Sequence, residues 1–425
     1  MPNIPFPRGV RDLMPNEALF RNELLKKAES VFQRFGFLAI DTPAFESLKV
    51  LHAKNGIGED VKLLYEMKYE DIGLRYDHTV SLARYFGMHQ DLPLPFKRYY
   101  IGKVWRREEP QKLRYREFTQ ADIDIVGGRT ASSDAEVIAV QALVFEVFAI
   151  NYRVLVNNRK FVDAMLASFG IKEEMFMPIM RAIDKLDKVG RDGVLELLQK
   201  LALDRDTISR IDAFINMEGN DEDKIAAMEK IMADKTVCQE TREALALLRL
   251  YGLKGQVQID FSLVRGFDYY TGMIFEFKTV GGETKSSIGG GGRYDNLIGM
   301  FSTKRIPAVG SSIGIDRLLD ILNYSASTKS TYADVFVANI KDSNYQYALK
   351  VGNMFRSNGV ATDVNLASRN ISNQLAYANA LKFKYVVIVG DEEERTGKVK
   401  VRNLIDGTES AFAPEAAIKM IKDTL

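Results

Sequence analysis

Hydrophobic residues recur at helical spacing near the N-terminus and again over a long central stretch. From about residue 17 to residue 35, apolar side chains lie three and four positions apart, which predicts an amphipathic helix. Between about residues 161 and 250 the same spacing predicts an all-helical block. Because strand-like patterns flank this block on both sides, we expect it to be inserted between two parts of one mixed domain.

Alternating apolar and polar residues predict strands on either side of the helical block. Residues 96–126 comprise a strand, a polar loop and a second strand, which predicts a hairpin. Residues 310–322 are predicted to form a helix, and residues 325–331 form a small polar linker. Strands and helices then alternate to the C-terminus, which is typical of a small α/β domain with a partly parallel sheet.

Length and composition limit the class of protein. The 425 residues are too many for one ordinary domain, and we expect one domain at 1–325, interrupted by the insertion at 161–250, and a second at 330–425. The net charge is only +1, so bulk charge does not indicate a nucleic-acid partner, and any basic surface must be local. No apolar run approaches the roughly 18 residues of a membrane span, so we expect a cytoplasmic protein without a membrane partner.

Few residues could bind a transition metal. The single cysteine, Cys238, excludes an intrachain disulfide and a zinc site built from cysteines. Only three histidines are present, so a His-rich metal site is not expected either. The sequence does not indicate metal ligands.

Arginines are dense along the predicted hairpin. The segment WRRE begins at Trp105 and is followed by Arg114, Phe118 and Gln120. Guanidinium groups bind phosphate oxygens in pairs, and aromatic or arginine planes stack on a base, so this pattern suits an anionic, planar ligand. A solvated hairpin with surface charges explains the cluster equally well. Both interpretations stay open from this cluster alone.

Residues 263–272 have the sequence LVRGFDYYTG, in which one arginine follows an apolar strand. Arg265 is followed by Asp268 and by the adjacent tyrosines Tyr269 and Tyr270. The arginine either binds a ligand or forms a structural ion pair with Asp268, as buried arginines commonly do.

Glycines and carboxylates mark further candidate positions. Four glycines at 289–292 let the backbone approach a ligand or fill a crowded turn, and they match neither a Walker loop nor a dinucleotide fingerprint. Arg317 follows a second glycine-rich segment. Asp77 and Asp124 lie in short segments near the arginine cluster and could recognise a cationic group, although a lone aspartate is usually a solvated surface residue.

The order of these motifs resembles that of class II aminoacyl-tRNA synthetases over essentially the whole chain. WRRE with its downstream arginine and the glycine-rich segment before Arg317 resemble motifs 2 and 3, and the helix and strand ending at Pro43 resemble motif 1, the dimer-forming element. LVRGFDYYTG and GGGGRYD resemble the two signature segments of histidyl-tRNA synthetases. The implied fold is an α+β catalytic domain on a mostly antiparallel sheet, with a helical insertion and a C-terminal α/β anticodon-binding domain.

The resemblance also implies a reaction and its partners. A member of this family activates L-histidine with ATP and Mg²⁺ to histidyl-adenylate and transfers the histidyl group to the 3′ end of tRNA(His), as a homodimer. Arg106 would hold the α-phosphate, and Glu108 and Arg114 would fix other parts of the bent nucleotide. Phe118 and Arg317 would sandwich the adenine.

Amino-acid recognition follows from the same resemblance. The implied histidine-binding residues are Asp77, His78, Thr79, Arg106, Gln120, Asp124, Arg265, Tyr269 and Tyr270. Asp77, Thr79 and Gln120 match the residues that hold the α-ammonium, with His78 contributing only its backbone. Asp124 and the two tyrosines match the imidazole pocket, because imidazole offers N–H donors that an apolar isostere lacks. Arg265 matches the catalytic arginine, together with Arg106, and the glycines at 289–292 would form the pocket floor.

Two departures from the family pattern bear on these expectations. The pocket acids are aspartates where many bacterial members carry glutamate, so the chain resembles the archaeal and eukaryotic branch. Residues 368–377 of the C-terminal domain are poor in the lysines often found there. Weaker anticodon binding, contacts made through side-chain amides, and ordinary drift of a helix surface all explain that composition; we favour the last.

Three other classes of protein deserve comparison. The synthetase-like regulatory subunit of ATP phosphoribosyltransferase lacks the anticodon-type domain and tends to lose the ATP-site arginines, whereas this chain has both. A synthetase-like RNA sensor would carry an appended module such as a kinase. Another class IIa synthetase, for proline, threonine or glycine, would share the ATP and anticodon motifs but not LVRGFDYYTG.

Overall fold

A computed structural model describes residues 5–53, 63–111, 113–264, 269–281, 287–322, 330–367 and 369–425. The chain divides into two compact units. The first comprises Met1–Val10 with Leu24–Ile321, and the second comprises Arg11–Glu23 with Leu322–Leu425.

The described residues form helices and strands throughout both units. The helices are α1 (Pro15–Arg34), α2 (Leu48–Leu51), α3 (Thr79–Met88), α4 (Thr130–Val147), α5 (Arg159–Ser168), α6 (Phe176–Ile183), α7 (Leu186–Gln199), α8 (Arg205–Ile215), α9 (Asp221–Ile231), α10 (Thr236–Leu250), α11 (Ile315–Leu322), α12 (Tyr345–Ser357), α13 (Ile371–Ala380), α14 (Asp391–Thr396) and α15 (Pro414–Thr424). The strands are β1 (Leu38–Ala39), β2 (Phe45–Ser47), β3 (Tyr65–Glu66), β4 (Ile72–Leu74), β5 (Phe96–Trp105), β6 (Glu117–Val126), β7 (Tyr152–Asn158), β8 (Val257–Ile259), β9 (Met273–Thr279), β10 (Ser287–Arg293), β11 (Ala308–Gly314), β12 (Val335–Asn339), β13 (Thr362–Val364), β14 (Tyr385–Val389), β15 (Val399–Asn403) and β16 (Glu409–Phe412).

The first unit is built on an eight-stranded sheet with the order β1-β5-β6-β11-β10-β9-β7-β8. The pairings are antiparallel except for β1 with β5 and β7 with β8. The predicted hairpin is confirmed, since β5 and β6 pair along their whole length, from Phe96 opposite Val126 to Trp105 opposite Glu117. The predicted mostly antiparallel sheet is therefore confirmed as well.

One face of this sheet is covered by α4. Residues of α4 are buried along most of its length, and Gln141 bonds to Ser311 and to the carbonyl oxygen of Ser312 on β11. Because side chains alternate between the two faces of a strand, residues next to those covered by α4 point to the opposite face. That opposite face carries the candidate site.

Six helices, α5 to α10, lie in the chain between the parallel neighbours β7 and β8. They have apolar residues buried at helical spacing, including Ile179, Ile211 and Leu248. These helices belong to the same compact unit as the sheet, so a separate insertion domain at 161–250 stays a prediction.

The helix predicted at 310–322 is wrong in its first half. Residues Ala308–Gly314 form β11, and the helix begins only at Ile315. Glycine is a poor helix former, and Gly310 and Gly314 flank the β-branched Ile313, which suits a strand. Because β11 lies between β6 and β10, its backbone pairs on both sides. The glycines at 289–292 likewise lie within β10 rather than after a strand.

The second unit contains a five-stranded sheet with the order β13-β12-β14-β15-β16. The first three of these strands are parallel, and β15 and β16 add antiparallel. All residues of β12 and β14 are buried, as expected for strands covered on both faces. The predicted α/β domain with a partly parallel sheet is confirmed. Across the described ranges, no helix is long and apolar enough to cross a membrane.

Candidate active site

The open face of the eight-stranded sheet carries a row of polar side chains along β6. Gln120, Asp122 and Asp124 occupy alternate positions and therefore point to the same face. Their partners across β11 are Gly314, Ser312 and Gly310. Small residues on β11 thus leave room above the polar row, and two cavities lie there.

The larger cavity has a volume of about 520 Å³ and contains the candidate nucleotide-binding residues. These are Arg106, Glu108, Arg114, Phe118 and Arg317. The smaller cavity, of about 220 Å³, contains the candidate histidine-binding residues Asp77, Thr79, Gln120, Asp124, Tyr269 and Tyr270. Arg106, Gln120, Tyr269 and Tyr270 line both cavities, so the two share a wall.

Arg106 lies at the end of β5, where the shared wall begins. Its Nε donates to the carbonyl oxygen of Tyr76 at 3.1 Å, and its guanidinium carbon lies 5.3 Å from the centre of the Phe118 ring. The main-chain bond fixes the side chain, and the ring contact is a cation–π arrangement.

The other residues of the larger cavity come from the hairpin loop and from α11. Nη1 of Arg114 lies 3.4 Å from Oε2 of Glu108. Arg317, in the first turn of α11, donates to the carbonyl oxygen of Ser287 on β10. Three arginines therefore converge on one cavity from separate elements, an arrangement that suits a polyanion with a planar base.

Asp124 is the most deeply buried carboxylate of the smaller cavity. Its Oδ2 lies 2.5 Å from Nη2 of Arg98, and its Oδ1 accepts from the hydroxyl of Tyr294. Arg98 is fully buried, and its N–H groups do not meet hydrogen-bond geometry with any described residue, so this contact is an ion pair by proximity.

Burial dominates the ionisation of Asp124. Loss of solvent is the largest of the causes that together raise the pKa of this carboxyl to about 7, and the nearby charges of Asp122 and Asp77 act in the same direction. The Arg98 charge and the hydrogen bond from Tyr294 oppose the rise. Asp124 is therefore a carboxylate whose charge depends on its immediate neighbours near neutral pH.

A second carboxylate of the smaller cavity, that of Asp77, lies just before the start of α3. Oδ1 of Asp77 accepts from the backbone N–H groups of Thr79 and Val80, both at 3.2 Å. Gln120 faces it from β6, with Nε2 donating to Oγ of Ser312 at 2.8 Å. The Gln120 Oε1 has no hydrogen-bond partner among the described residues. An oxygen without a partner in a polar cavity marks a place for a donor.

His78 has a buried side chain, whereas only its backbone was expected to contribute. Its Nδ1 lies 2.9 Å from Oδ2 of Asp122, and its ring packs 4.3 Å from the ring of Tyr100. The ring is not among the groups that line either cavity. The imidazole of His78 thus supports Asp122 rather than facing a ligand directly.

Glycines at 290, 292 and 310 let the backbone pass close to the cavities. A Cβ added to Gly310 would lie 1.9 Å from Oδ1 of Asp124, and one added to Gly292 would lie 2.9 Å from the ring of Tyr270. No side chain fits at either position without displacing a residue of the candidate pocket.

Some predicted residues lie outside the described ranges. Arg265 and its alternative ion-pair partner Asp268 are among them. Their neighbours are described: Leu263 lines the larger cavity, and Tyr269 lines both.

Four residues of the site were missed at the sequence level: Arg98, Asp122, Tyr294 and Ser312. Asp122 could have been found, because it lies between Gln120 and Asp124 at the two-residue spacing of one strand face. Arg98 gives no such signal, since its pairing with Asp124 depends on the register of β5 against β6.

The C-terminal unit has a cavity of about 200 Å³ at the end of β12 and β13. Arg369 and Tyr377 line it, with the guanidinium carbon 5.5 Å from the tyrosine ring. Gln374 also belongs to its wall but is 1% exposed, and its amide bonds to the backbone of Asn339 and Arg369. Of the amides at 368–377, this one is therefore used for internal structure.

Comparisons with known proteins agree with this geometry. A family model described as Histidyl-tRNA synthetase matches residues 9–318, and a model described as Anticodon binding domain matches residues 334–424. The chain belongs to the histidyl-tRNA synthetase family. The sequence-level resemblance is thereby confirmed.

Relatives within the histidyl-tRNA synthetase family match nearly the full chain. Histidine--tRNA ligase of Korarchaeum cryptofilum is 39% identical over 93% of this chain and 94% of its own length. Histidine--tRNA ligase of Aeropyrum pernix is 37% identical over 99% and 98%. The crystal structure of histidyl-tRNA synthetase from Nostoc sp. PCC 7120 has a TM-score of 0.87 and 29% identity, with 100% of both chains covered. The class II synthetase fold is therefore confirmed.

Proposed function

We propose that this chain is a histidine–tRNA ligase, which activates L-histidine with ATP and esterifies tRNA(His), releasing AMP and diphosphate. The observation that carries the proposal is the wall shared by the two cavities. The larger cavity is lined by three arginines and Phe118 together with four carboxylates, whereas the smaller is lined by three aspartates and a single arginine among the described residues. Arg106 belongs to both, where a nucleotide phosphate and an amino-acid carboxylate would meet.

The larger cavity is proposed to bind ATP. Phe118 and Arg317 would sandwich the adenine, and Arg106 would hold the α-phosphate. Arg114 would bind outer phosphate oxygens while Glu108 fixes the nucleotide and pairs with Arg114. Guanidinium groups suit these positions because their paired N–H donors match phosphate oxygens.

The smaller cavity is proposed to bind histidine. Asp77, Thr79 and Gln120 would hold the α-ammonium, and the bare Oε1 of Gln120 supports this role. Asp124, with the hydroxyls of Tyr269 and Tyr270, would meet the imidazole N–H groups. An apolar side chain of similar size would cover this polar wall without offering it a hydrogen-bond donor, so the pocket would favour imidazole over such side chains.

Activation needs no general base in this arrangement. A carboxylate oxygen of histidine attacks the α-phosphorus, the bond to the bridging oxygen breaks, and diphosphate leaves with the electron pair. Arg106 neutralises charge that develops on the α-phosphate. Arg265 is proposed as the catalytic arginine beside it, supported by its place in the chain between the cavity-lining residues Leu263 and Tyr269.

The second step is proposed to occur in the same place. A hydroxyl of the terminal ribose of tRNA attacks the acyl carbon of the adenylate, and AMP leaves. The C-terminal unit is proposed to bind the anticodon, supported by the family model matched at residues 334–424.

Mg²⁺ is proposed to accompany ATP. Within the described ranges no three acidic, histidine or cysteine side chains are grouped as a metal site. Mg²⁺ is usually bound by one or two carboxylates plus substrate phosphates. Four carboxylates line the larger cavity, and of these Glu108 and Glu276 are the proposed ligands; the other two are Asp184 and Asp316. When bound, Mg²⁺ neutralises phosphate charge during transfer.

A homodimer and a cytoplasmic location are also proposed. The dimer rests on the motif 1-like segment that ends at Pro43 and on β2 directly after it, where Leu38 and Phe45 respectively are 60% and 52% exposed. Exposed apolar residues beside a sheet edge suit an interface between two copies. Location in the cytoplasm follows from the proposed tRNA substrate.

The proposed function is tested by exchange of radioactive diphosphate into ATP. We expect exchange that depends on L-histidine and Mg²⁺ and does not occur with proline, threonine or glycine. Absence of histidine-dependent exchange in well-folded protein would refute the proposal. Exchange with another of these amino acids would instead assign the chain a different specificity.

A further inference from the structure

One carboxylate of the smaller cavity has no role in the pocket so far. Asp122 lies on β6 between Gln120 and Asp124 and lines the same cavity. The residue is 4% exposed. A buried carboxylate is costly unless its charge is compensated, so its retention on this wall requires an explanation.

The two oxygens of Asp122 have different surroundings. Oδ2 lies 2.9 Å from Nδ1 of His78, which donates when the ring carries its proton there. Oδ1 is buried and has no hydrogen-bond partner among the described residues. His78 itself is held by packing against Tyr100, whose hydroxyl donates to Asp41 at 2.8 Å. The carboxylate is thus fixed on one side and uncompensated on the other.

The position of Asp122 indicates which part of a substrate it serves. Its neighbours along the strand face are Gln120, whose Oε1 also lacks a partner, and Asp124. Through His78 it adjoins Asp77, the preceding residue in the chain. Gln120 and Asp77 belong to the end of the cavity proposed for the α-ammonium, whereas the Arg98 charge already accompanies Asp124 at the imidazole end.

We propose that Asp122 is the counter-charge that selects and orients the α-ammonium of histidine, with His78 as its positioning residue. This inference rests on the proposed function and adds a specificity-determining residue to it. Asp122 and Asp77 place two negative charges around one substrate cation. Ligands that lack a cation at that position gain nothing from Asp122.

The test compares Asp122→Asn with Glu117→Gln. Asparagine keeps the volume of the side chain and an oxygen for His78, but removes the charge. Glu117 is another acid on β6, at a position that faces away from the cavities and pairs with Lys103 and Trp105. Three ligands separate the contributions: L-histidine, histidinol, which keeps the ammonium, and imidazole-4-propionate, which lacks it.

We expect Asp122→Asn to raise the KM for histidine and the inhibition constant of histidinol by about tenfold or more, in the range for losing a charged partner. The KM for ATP and the inhibition constant of imidazole-4-propionate should stay within about twofold, and Glu117→Gln should change none of the four constants. Unchanged binding of histidine and histidinol in an active Asp122→Asn enzyme would overturn the inference. An equal rise in the inhibition constant of imidazole-4-propionate would also overturn the inference, because Asp122 would then act at the imidazole end of the cavity.

Folding and the proposed function are checked separately. If Asp122→Asn unfolds at a lower temperature or loses ATP binding, Asp122→Ser removes the same charge without a buried amide and carries the same comparison. Failure of the wild-type protein to exchange diphosphate would refute the proposed function. A fully active enzyme that tolerates both substitutions would refute only the role of Asp122.

Discussion

Single residues at the shared wall decide whether two substrates can react. Arg106 lines both cavities, and among the described residues that they share it is the one with a fixed positive charge. Its Nε is already bound to the carbonyl oxygen of Tyr76, which leaves the other guanidinium nitrogens to meet a ligand. A preorganised cation of this kind stabilises developing charge without reorganisation during the reaction.

The first prediction concerns this cation. Arg106→Ala should lower the rate of histidine-dependent diphosphate exchange by about 10²-fold or more, because one preorganised donor at a developing charge is removed. Arg107→Ala is the matched control, since Arg107 is the adjacent arginine, is exposed and does not line either cavity. Comparable rates for the two variants would remove Arg106 from its proposed role.

The second prediction concerns ionisation at the imidazole end. The hydroxyl of Tyr294 holds the pKa of Asp124 below the value that burial alone would give. Tyr294→Phe removes this hydrogen bond, so the pKa of Asp124 should rise. If histidine binding needs the charged form, as proposed, the acid limb of kcat/KM for histidine should move to higher pH in Tyr294→Phe. The profile is measured from about pH 5.5 to 9 for both proteins, a range that spans the Asp124 pKa.

The profile for ATP provides the control for this pH experiment. Phe118 and Arg317 do not contact the Tyr294–Asp124 pair among the described contacts, so the pH dependence of kcat/KM for ATP at saturating histidine should stay the same. A shift of the histidine profile toward lower pH would contradict the assigned effect of the hydroxyl.

At the scale of residues, the sequence predicted most of the residues that line the two cavities, but not the buried residues that contact them. Arg106, Gln120 and Asp124 stand out in the chain, and the structure brings them to one sheet face. Arg98 and Tyr294 both contact Asp124, yet they lie 26 and 170 positions from it, counted as 124 − 98 and 294 − 124. Such contacts depend on strand order, which residue patterns alone do not fix.

Whole elements create the space in which these residues act. The strands β10 and β11 present glycines at the places where the cavities approach the sheet, while α4 covers the other face. The side chain of Gln141 would meet a Cβ at Gly289, whereas the carboxylate of Asp124 would meet one at Gly310. Glycines on these two adjacent strands therefore serve opposite faces of the same sheet.

The third prediction uses this difference in space. Gly310→Ala should weaken histidine binding by roughly tenfold or more, because the added methyl group would displace the Asp124 carboxylate and break a charged pairing. Gly299→Ala is the control, since its nearest neighbour would be at 3.5 Å, an ordinary contact. Equilibrium binding of histidine and thermal unfolding are measured for both. Wild-type affinity in Gly310→Ala would show that Asp124 does not need its observed position.

The elements themselves were predicted unevenly. The hairpin of β5 and β6 was predicted because a polar loop separates two strand-like runs, of which the second alternates apolar and polar residues. Residues 310–314 of β11 were assigned to the helix because they run directly into Ile315, Leu318, Leu319 and Leu322, which recur at helical spacing. Pairing with β6 and β10 outweighed that local pattern. Periodicity in a short apolar run does not distinguish the two structures.

At the scale of the whole molecule, each unit has its own sheet and core. The fourth prediction concerns the proposed dimer of the first unit. Wild-type protein should have twice the chain mass of 47.9 kDa by light scattering after gel filtration. The double change Leu38→Arg with Phe45→Arg should yield monomer, because two charges would be buried at the interface.

An exposed apolar residue elsewhere supplies the control for the dimer. Leu250, at the end of α10, is 84% exposed, and Leu250→Arg should remain dimeric. Dimer retained by the double variant would place the interface away from the motif 1-like segment. A monomeric wild-type protein would refute the dimer itself.

The two-unit organisation follows from the sequence better than the limits of each unit. The second sheet has the expected parallel strands, whereas the predicted domain limits stay predictions. Arg11–Glu23, however, groups with the C-terminal residues. No pattern within an amphipathic helix indicates which unit its first turns will join, because periodicity defines an apolar face and not the partner of that face.

The wall shared by the two cavities also has a pharmacological consequence. A single compound that joins an imidazole-bearing amine to adenosine through an acyl sulfamate, which is an anion at neutral pH like the phosphate it replaces, would occupy both cavities. Joining two ligands makes the second binding event intramolecular, and the combined affinity exceeds either part by roughly 10² to 10⁴. Selective antagonists of this protein are therefore best sought among molecules that cross the wall at Arg106, Gln120 and the paired tyrosines.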